Sequence, residues 1–402
     1  MRNTLILTGK FVVMAGLMFT AALFAPAQQA PVRTAAQQYK NIQVLKDVPA
    51  TEFIASMRFL STALGVECEF CHVGTRSEDS PNKVKARQMM LMMAEINNKN
   101  FGGQQVVTCH TCHKGNHVPV NAPTPTGQYS AEGPQVFYKP SGPPVGATDG
   151  PMSDAYLAFM AKERAARAAA MPTAAQVLAK YVTALGGEQA VRKVTSRVIT
   201  STVEMSPNVR GAGPVVFVQQ TQYSKAPNLY AAASQPFTGP TTAKGFDGTD
   251  AWTQAANGSV TVAAGVDLAR AKRDADFYGS LALERQYKTL TMEGTEKVGG
   301  REAYVLKGTL DGDNPETLYF DVQSGLLVRK GTANNTPLGK YIINTDYEDY
   351  RDVGGVKVPF LIRTLSVSPA DTMVVHVEKV ENNVAIDAAK LAKPAPRAAA
   401  GR

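Results

Sequence analysis

Two short motifs in this chain combine residue types that can hold a redox cofactor. Each is a Cys-x-x-Cys pair followed at once by a histidine, at residues 68–72 and 109–113. Two thiols three positions apart on one helical turn can form thioether bonds to the vinyl groups of one porphyrin. The following histidine can then bind the iron as its proximal ligand. The pattern therefore predicts two covalently bound c-type haems, held by Cys68, Cys71, His72, Cys109, Cys112 and His113.

Three other kinds of chemistry also use paired cysteines. Two Cys-x-x-Cys units could bind one zinc ion, form two local disulfides, or act as a thioredoxin-like redox pair. None of these alternatives accounts for the histidine that follows each pair. Because the chain has only five histidines in 402 residues, two of them at the required position favour haem attachment.

The sixth iron ligand is expected to be a methionine or a histidine. Before the first motif, the spacing predicts a helix with Thr51 as its N-cap and Met57 on its inward face. Before the second motif, a predicted helix over Lys83 to Asn98 carries four methionines, and the pattern does not choose among them: Met89, Met90, Met92 and Met93. Packing in the core is the alternative role for all of these methionines.

The remaining histidines have simpler interpretations. His110 fills a variable position inside the second motif and is expected to be exposed. His117 lies in a predicted loop, where a surface position is favoured over a distal ligand role. His376 alternates with valines in a predicted strand and is expected to face solvent.

The start of the chain is typical of a secretory signal peptide. Arg2 and Lys10 give a positive region, residues 11–24 are apolar, and small residues at 25–27 suit cleavage. No cysteine follows the apolar stretch, so lipid attachment there is not expected. The net charge of +8 is spread over a long chain without basic runs interleaved with aromatics, which argues against nucleic-acid binding.

The rest of the chain divides by composition into a helical part and a β-rich part. Glycine pairs and Ser-Gly punctuate strand-like runs after residue 190, which predicts an antiparallel sheet of perhaps eight to ten strands. Residues 153–170 and 174–185 are predicted helices. The predicted segments are 1–27 signal peptide, 28–40 flexible start, 41–118 dihaem domain, 119–152 Pro/Gly-rich linker, 153–190 helices, 191–392 antiparallel sheet and 393–402 flexible tail.

The haem-binding part resembles the cytochrome c subunit of photosynthetic reaction centres. The residues that carry the resemblance are Tyr39 to Leu45, Glu52-Phe53, Met57, Cys68 to His72, Ala86 to Met89, Glu95 to Asn97 and Val107 to Gly115. In that family a helix before each attachment motif supplies a methionine as the sixth ligand. The resemblance thus implies Met57 as the distal ligand of the first haem and Met89 as that of the second.

The chain departs from the family's tetrahaem members in two ways. It has two attachment motifs instead of four, and residues 94–105 lack the histidine that ligates another haem in those members. The two departures agree with each other, since the haem that needs this histidine is also missing.

The C-terminal part resembles periplasmic lipoprotein-carrier and lipoprotein-sorting domains. The resemblance rests on Gly300 to Leu306, Leu318 to Asp321 and Gly325 to Val328. It implies a curved antiparallel sheet, a half-barrel, that can hold an acyl chain. The fold class is therefore two-domain: an α-helical multihaem cytochrome c domain plus an α+β domain.

The sequence predicts a periplasmic electron-transfer protein and not an enzyme. Its expected partners are redox proteins, including a membrane-bound electron-transfer complex or a reaction centre. Two alternatives remain open: a dihaem peroxidase, which needs an iron site that can open, and a lipid or lipoprotein binder with a haem redox module.

Overall fold

The computed structural model describes residues 33–119, 158, 162, 171–205, 216–310, 314–366 and 372–395. The predicted signal peptide and most of the predicted linker and of the helix over 153–170 lie outside these residues. The helices are α1 (Ala35–Gln38), α2 (Ala50–Leu64), α3 (Pro81–Phe101), α4 (Cys109–His113), α5 (Ala174–Ala184), α6 (Glu188–Lys193), α7 (Gly265–Ala275) and α8 (Ala388–Leu391). Short 3₁₀ turns cover Cys68–Phe70, Gly279–Leu281 and Leu283–Gln286.

The strands form one antiparallel sheet. They are β1 (Ser196–Met205), β2 (Val216–Lys225), β3 (Leu229–Pro236), β4 (Thr242–Phe246), β5 (Ala251–Gln254), β6 (Val260–Val262), β7 (Thr289–Val298), β8 (Arg301–Thr309), β9 (Glu316–Asp321), β10 (Leu327–Thr336), β11 (Gly339–Val353), β12 (Val356–Leu365) and β13 (Met373–Asn382). Their order in the described part of the chain is β6-β5-β4-β3-β2-β1-β13-β12-β11-β10-β9-β8-β7.

The sheet consists of two meanders joined at its centre. Strands β1 to β6 run outward in one direction and β13 back to β7 in the other, so β1 pairs with β13. The sheet is open, with β6 and β7 at its edges. The antiparallel prediction is confirmed, but the described residues form 13 strands where eight to ten were expected. Strands as short as β5 and β6 are too brief to show a period-two pattern.

Two helices cover part of the sheet and build its main core. An N-cap hydrogen bond from the amide of Gln176 to the hydroxyl of Thr173 starts α5, as expected for threonine at this position. The helix ends before Gly186 and Gly187, which have positive φ angles of 115° and 84°. Its apolar face and α6 pack against buried sheet residues, with Tyr181 stacked edge-on against Phe320 at 5.2 Å between ring centroids.

The helices of the haem-binding part form a second, smaller core. Helix α2 begins at Ala50 with Pro49 as its N-cap, so Thr51 lies inside the first turn and the N-cap prediction was wrong. Proline suits that boundary because it has no amide hydrogen to leave unpaired. Helix α3 starts at Pro81 behind the N-cap Ser80 and extends the predicted helix at both ends. Buried Phe59, Met90 and Met93 pack together between these helices.

Candidate haem sites

Each attachment motif folds into a single helical turn. In the first motif a hydrogen bond of 3.3 Å from the amide of Cys71 to the carbonyl oxygen of Cys68 closes a 3₁₀ turn over Cys68–Phe70, and the same oxygen accepts from the amide of His72 at 2.9 Å. The second motif forms α4 with Thr108 as its N-cap. No disulfide joins any of the four cysteines in the described residues. A turn of helix keeps both thiols and the histidine of one motif close together, as attachment to a single porphyrin requires.

The first motif opens into an apolar cavity of about 450 Å³. Met57 from α2 lines this cavity together with Cys68, Cys71 and His72. The structure thus brings together all four residues that the sequence assigned to the first haem. The other walls are largely apolar and come from the segment over 38–45 and from α2 and α3, with Ile42, Val44, Leu45, Phe53, Ile54, Leu60 and Ala86 among them.

The polar part of this cavity is strongly cationic. Its charged lining residues are Lys40, Arg58, Arg76, Lys83 and Arg87, and no described residue that lines it is an aspartate or glutamate. Such a set of cations matches the two carboxylates that a haem carries as its propionates. Burial lowers the pKa of Lys83, and the charge of Arg87 acts in the same direction. A bound anion would offset the repulsion between the charges of Lys83 and Arg87.

An aspartate beside the cavity holds part of this cationic wall in place. Arg87 lies 2.9 Å from the carboxylate of Asp79, which also accepts a hydrogen bond of 2.8 Å from the side-chain Nδ2 of Asn41. The hydrogen bond from Arg87 keeps the pKa of Asp79 below its usual range. Asn41 has a positive φ of 58° and ties the segment before α2 across the cavity to the loop before α3.

The protonation states in the first motif suit a metal ligand. The Nδ1 atom of His72 is buried and has no hydrogen-bond partner among the described residues. Burial lowers the pKa of His72, and the charges of Lys83 and Arg76 lower it further, so the ring stays neutral. Neutral imidazole is the form that binds a metal. The residues present therefore fit a haem iron at this position.

The second motif orients its histidine through the backbone. Nδ1 of His113 lies 2.9 Å from the carbonyl oxygen of Asn116. Because a carbonyl can only accept, Nδ1 carries the proton and Nε2 is left with its lone pair free. This is the usual outer contact of a metal-binding histidine. Burial raises the pKa of the Cys109 thiol, while Cys112 is exposed.

The second motif packs directly on the end of α2. The amide of Gly115 donates to the carbonyl oxygen of Ala63 at 3.0 Å. Gly65 caps the helix with φ +63°, and a side chain placed there would lie 2.0 Å from the oxygen of Gly115. Glycine is therefore required at Gly65 both by the backbone angle and by this close approach.

A buried asparagine fixes the loop that leads into the second motif. Asn97 on α3 is 5% exposed. Its Oδ1 accepts hydrogen bonds from the amides of Val106 and Val107 at 3.2 and 2.9 Å, and its Nδ2 donates to the oxygen of Val107 at 2.7 Å. Asn97 is one of the residues that carry the resemblance to the reaction-centre cytochromes, but the sequence did not show that its side chain binds this loop.

An Asn97→Leu substitution is expected to lower the free energy of unfolding by about 2–4 kcal/mol, because it removes the partner of the backbone amide and carbonyl of Val107, while the amide of Val106 keeps its bond to the oxygen of Gln104. Urea unfolding of the purified protein measures this. Asn100→Leu is the matched control, since its exposed side-chain amide donates to the oxygen of Ile96 on the same helix and holds no other segment of the described chain. Equal stability of the two variants would contradict the assigned role.

The methionines of α3 do not occupy equivalent positions. Met90 and Met93 are buried at 8% and 7% exposure, and Met90 lines the first cavity. Met92 is 45% exposed. Met89 is half-buried and is not among the residues that line the first cavity. The pairing of Met89 with His113 stays a prediction.

The other histidines lie at the surface. His110 and His117 are exposed, and the His117 ring packs on Phe70 at 5.6 Å between centroids. His376 on β13 is exposed, with Nε2 3.5 Å from a carboxylate oxygen of Glu204. These positions confirm the surface interpretations of His110, His117 and His376.

Sequence reasoning missed a contact from the sheet to the haem-binding helices. The tip of the β10–β11 hairpin carries Leu338, which is 1% exposed and packs in the same cluster as Phe59. The side-chain Nε2 of Gln105 donates to the backbone oxygen of Pro337 at 2.6 Å. Proline and glycine near residue 338 are a recognisable turn signal, but no sequence pattern shows what the tip of a hairpin will contact.

Two further features are absent from the described residues. Within these ranges, no three His, Cys, Asp or Glu side chains converge as a metal site built from them would require. No helix in the same part of the chain is both long enough and apolar enough to cross a membrane.

Comparison with known proteins supports the haem-binding assignment. Residues 19–184 match the family model of the photosynthetic reaction centre cytochrome C subunit. The sequence resemblance to this family is confirmed. The reaction-centre cytochrome c subunit of Thermochromatium tepidum is 36% identical over 100 residues, which are 23% of this chain and 25% of that protein. Cytochrome c-554 of Chloroflexus aurantiacus is 30% identical over 136 residues, 31% of this chain and 30% of that protein.

The chain therefore spans about a quarter to a third of the length of these curated relatives. Among solved structures, a LolA superfamily protein from Nitrosomonas europaea aligns with 56% of this chain and 99% of its own, at 14% identity and a TM-score of 0.40.

Proposed function

We propose that this protein is an exported dihaem c-type cytochrome that carries electrons between redox partners. The observation that carries the proposal is the first cavity, where Met57, Cys68, Cys71 and His72 meet between apolar walls. The family match over residues 19–184 supports the same function. When bound, each haem supplies a one-electron couple between ferrous and ferric iron.

The residue roles follow from the two motifs. Cys68 and Cys71 hold the first haem and Cys109 and Cys112 the second, each through two thioether bonds. His72 and His113 are the proposed proximal ligands. Met57 and Met89 are the proposed distal ligands; Met57 is supported by its place in the cavity and Met89 by the resemblance alone.

The protein around the first cavity supports electron transfer over catalysis. With a haem bound, its apolar walls would keep water from the iron and its cations would balance the propionates. If His72 and Met57 both ligated the iron, no open coordination site would remain for a substrate such as peroxide. Fixed ligands also limit the rearrangement that each change of oxidation state requires.

The proposed location is the periplasm, since residues 1–27 have the features of a signal peptide and haem attachment of this kind takes place outside the cytoplasm. The proposed partners are redox proteins, including a membrane-bound complex of the reaction-centre type.

The test is to produce the protein in a host with c-type haem maturation and to titrate it potentiometrically. We expect two c-type haems per chain in the pyridine-haem spectrum and two one-electron steps. The Cys109→Ala/Cys112→Ala variant is expected to keep one haem and the step of the first site. A wild-type protein with no haem, or with bound zinc in its place, would overturn the proposal.

The same preparation distinguishes the peroxidase alternative. A cytochrome with closed axial positions is expected to show no turnover of hydrogen peroxide with an electron donor, in either the oxidised or the half-reduced state. Sustained turnover would favour the enzyme over the electron carrier.

A further inference from the structure

The sheet domain contains a second cavity, far in sequence from the haem motifs. It has a volume of about 360 Å³ and lies between the sheet and the segments of α5, α6 and α7. The residues that matter for its chemistry are Tyr181, Arg197, Tyr230, Asp274 and Tyr347. Its size is within the usual range for small-molecule sites, and charged and phenolic groups interrupt its apolar wall.

One side of the cavity presents a half-buried cation, Arg197. Nε of Arg197 on β1 donates to Oδ1 of Asn382 at 2.8 Å. Among the described residues, no carboxylate forms an ion pair with this guanidinium. Burial lowers the pKa of Arg197, which reflects the cost of keeping the charge away from water. Its terminal nitrogens are therefore available to an anion, and a carboxylate or phosphate would offset that cost.

Three tyrosines add unused donors. The hydroxyls of Tyr181, Tyr230 and Tyr347 have no hydrogen-bond partner within the described ranges. Burial raises the pKa of all three, to about 12 for Tyr230, so each keeps its proton and can donate. Their neighbour Tyr350 behaves differently, since its hydroxyl donates to the carbonyl oxygen of Leu327 at 2.8 Å.

The cavity also contains an acceptor. Asp274 at the end of α7 lines it, and its charge contributes to the raised pKa values of Tyr230 and Tyr347. A second carboxylate, Asp276, accepts a hydrogen bond from the amide of Tyr278 at 3.1 Å. Asp274 is exposed at the end of α7, so it is accessible to an occupant that carries a hydroxyl or ammonium group beside its anion.

We propose that this cavity binds a small molecule that carries a carboxylate or phosphate together with a hydroxyl or ammonium donor. Arg197 and the free phenols bind the anionic group, and Asp274 accepts from the donor. An acyl chain fits these walls poorly, because it would cover the three phenol hydroxyls and the terminal nitrogens of Arg197 without offering them a hydrogen-bond acceptor. The inference is independent of the haem proposal.

The test uses the full-length protein and measures its melting temperature and calorimetric affinity with five probes. L-Lactate and L-alanine carry a carboxylate and a donor, glycerol 3-phosphate carries a phosphate and hydroxyls, propionate carries the anion alone, and decanoate represents an acyl chain. We expect at least one of the first three to bind more tightly than propionate and decanoate. Comparison of the phosphate with the two carboxylates identifies the anion.

Two variants test the residues. Tyr347→Phe removes only the hydroxyl and Arg197→Gln removes the charge; each is expected to weaken binding of the best probe about tenfold or more. Arg363→Gln is the matched control, because Arg363 lies on β12 at 43% side-chain exposure and pairs with Glu348. The proposal is wrong if no probe binds, if decanoate binds best, or if Tyr347→Phe retains the wild-type affinity.

Discussion

A Met57→His variant is expected to lower the reduction potential of one haem by on the order of 0.2 V and to leave the other unchanged. Met57 and His72 line the same cavity, so the substitution changes the proposed ligand of that site only. A thioether favours ferrous iron more than an imidazole does, which is why its loss moves the potential downward. In this variant the absorption that is characteristic of methionine-ligated haem is expected to fall to half of the wild-type intensity.

The measurement is a potentiometric titration of wild-type and variant proteins with equal haem content. Met92→Leu is the control, because Met92 is 45% exposed on α3 and is expected to have no ligand role. Met89→His is expected to shift the other potential by a similar amount. Unchanged potentials in Met57→His would show that another residue completes the first site.

The second large effect is expected from Gly339→Ala. A Cβ atom at this position would lie 2.1 Å from Cζ of Phe59, and the other two nearest atoms, at 2.5 and 2.6 Å, belong to the same ring. The ring is buried on α2, so it cannot swing into solvent. We expect the free energy of unfolding to fall by about 2–3 kcal/mol, as for overpacking of a well-filled core.

A double variant separates this contact from other effects of the substitution. Phe59→Leu is expected to cost stability alone but to recover part of the loss in the Gly339→Ala background, which denaturant unfolding of the four proteins measures as a coupling energy. Lys340→Ala, at the exposed neighbouring position, is expected to be neutral. If the losses in the free energy of unfolding were additive in the double variant, the contact between the hairpin and Phe59 would not be the cause of the Gly339→Ala effect.

Local rules predicted α2, α3, α5 and the antiparallel strands, but not α7, which lies inside the segment predicted as antiparallel sheet. The apolar spacing around Met57 and the glycine pairs between strands depend on neighbours a few positions away. The error at Thr51 has the same local origin, since proline and threonine both suit the start of a helix and only the backbone decides between them.

The contacts between distant segments were not predictable in this way. The Cys-x-x-Cys-His spacing assigned Cys68 and His72 to a haem. It did not show that Asn97 binds the loop before the second motif or that Leu338 packs beside Phe59. Both depend on how separate elements meet in three dimensions. The cavity at Arg197 was missed for the same reason, because its lining residues come from helices and strands spread between Tyr181 and Pro359.

The pairing of β1 with β13 also constrains the order in which this protein can fold. The hydrogen bond between Arg197 and Asn382 joins residues 185 positions apart, so the central strand β1 lacks one neighbour until nearly the whole chain has been synthesised. Contacts this distant in sequence slow folding, and an unpaired central strand is open to association with other chains. A truncation before β13 is therefore more damaging than the small size of the missing segment suggests.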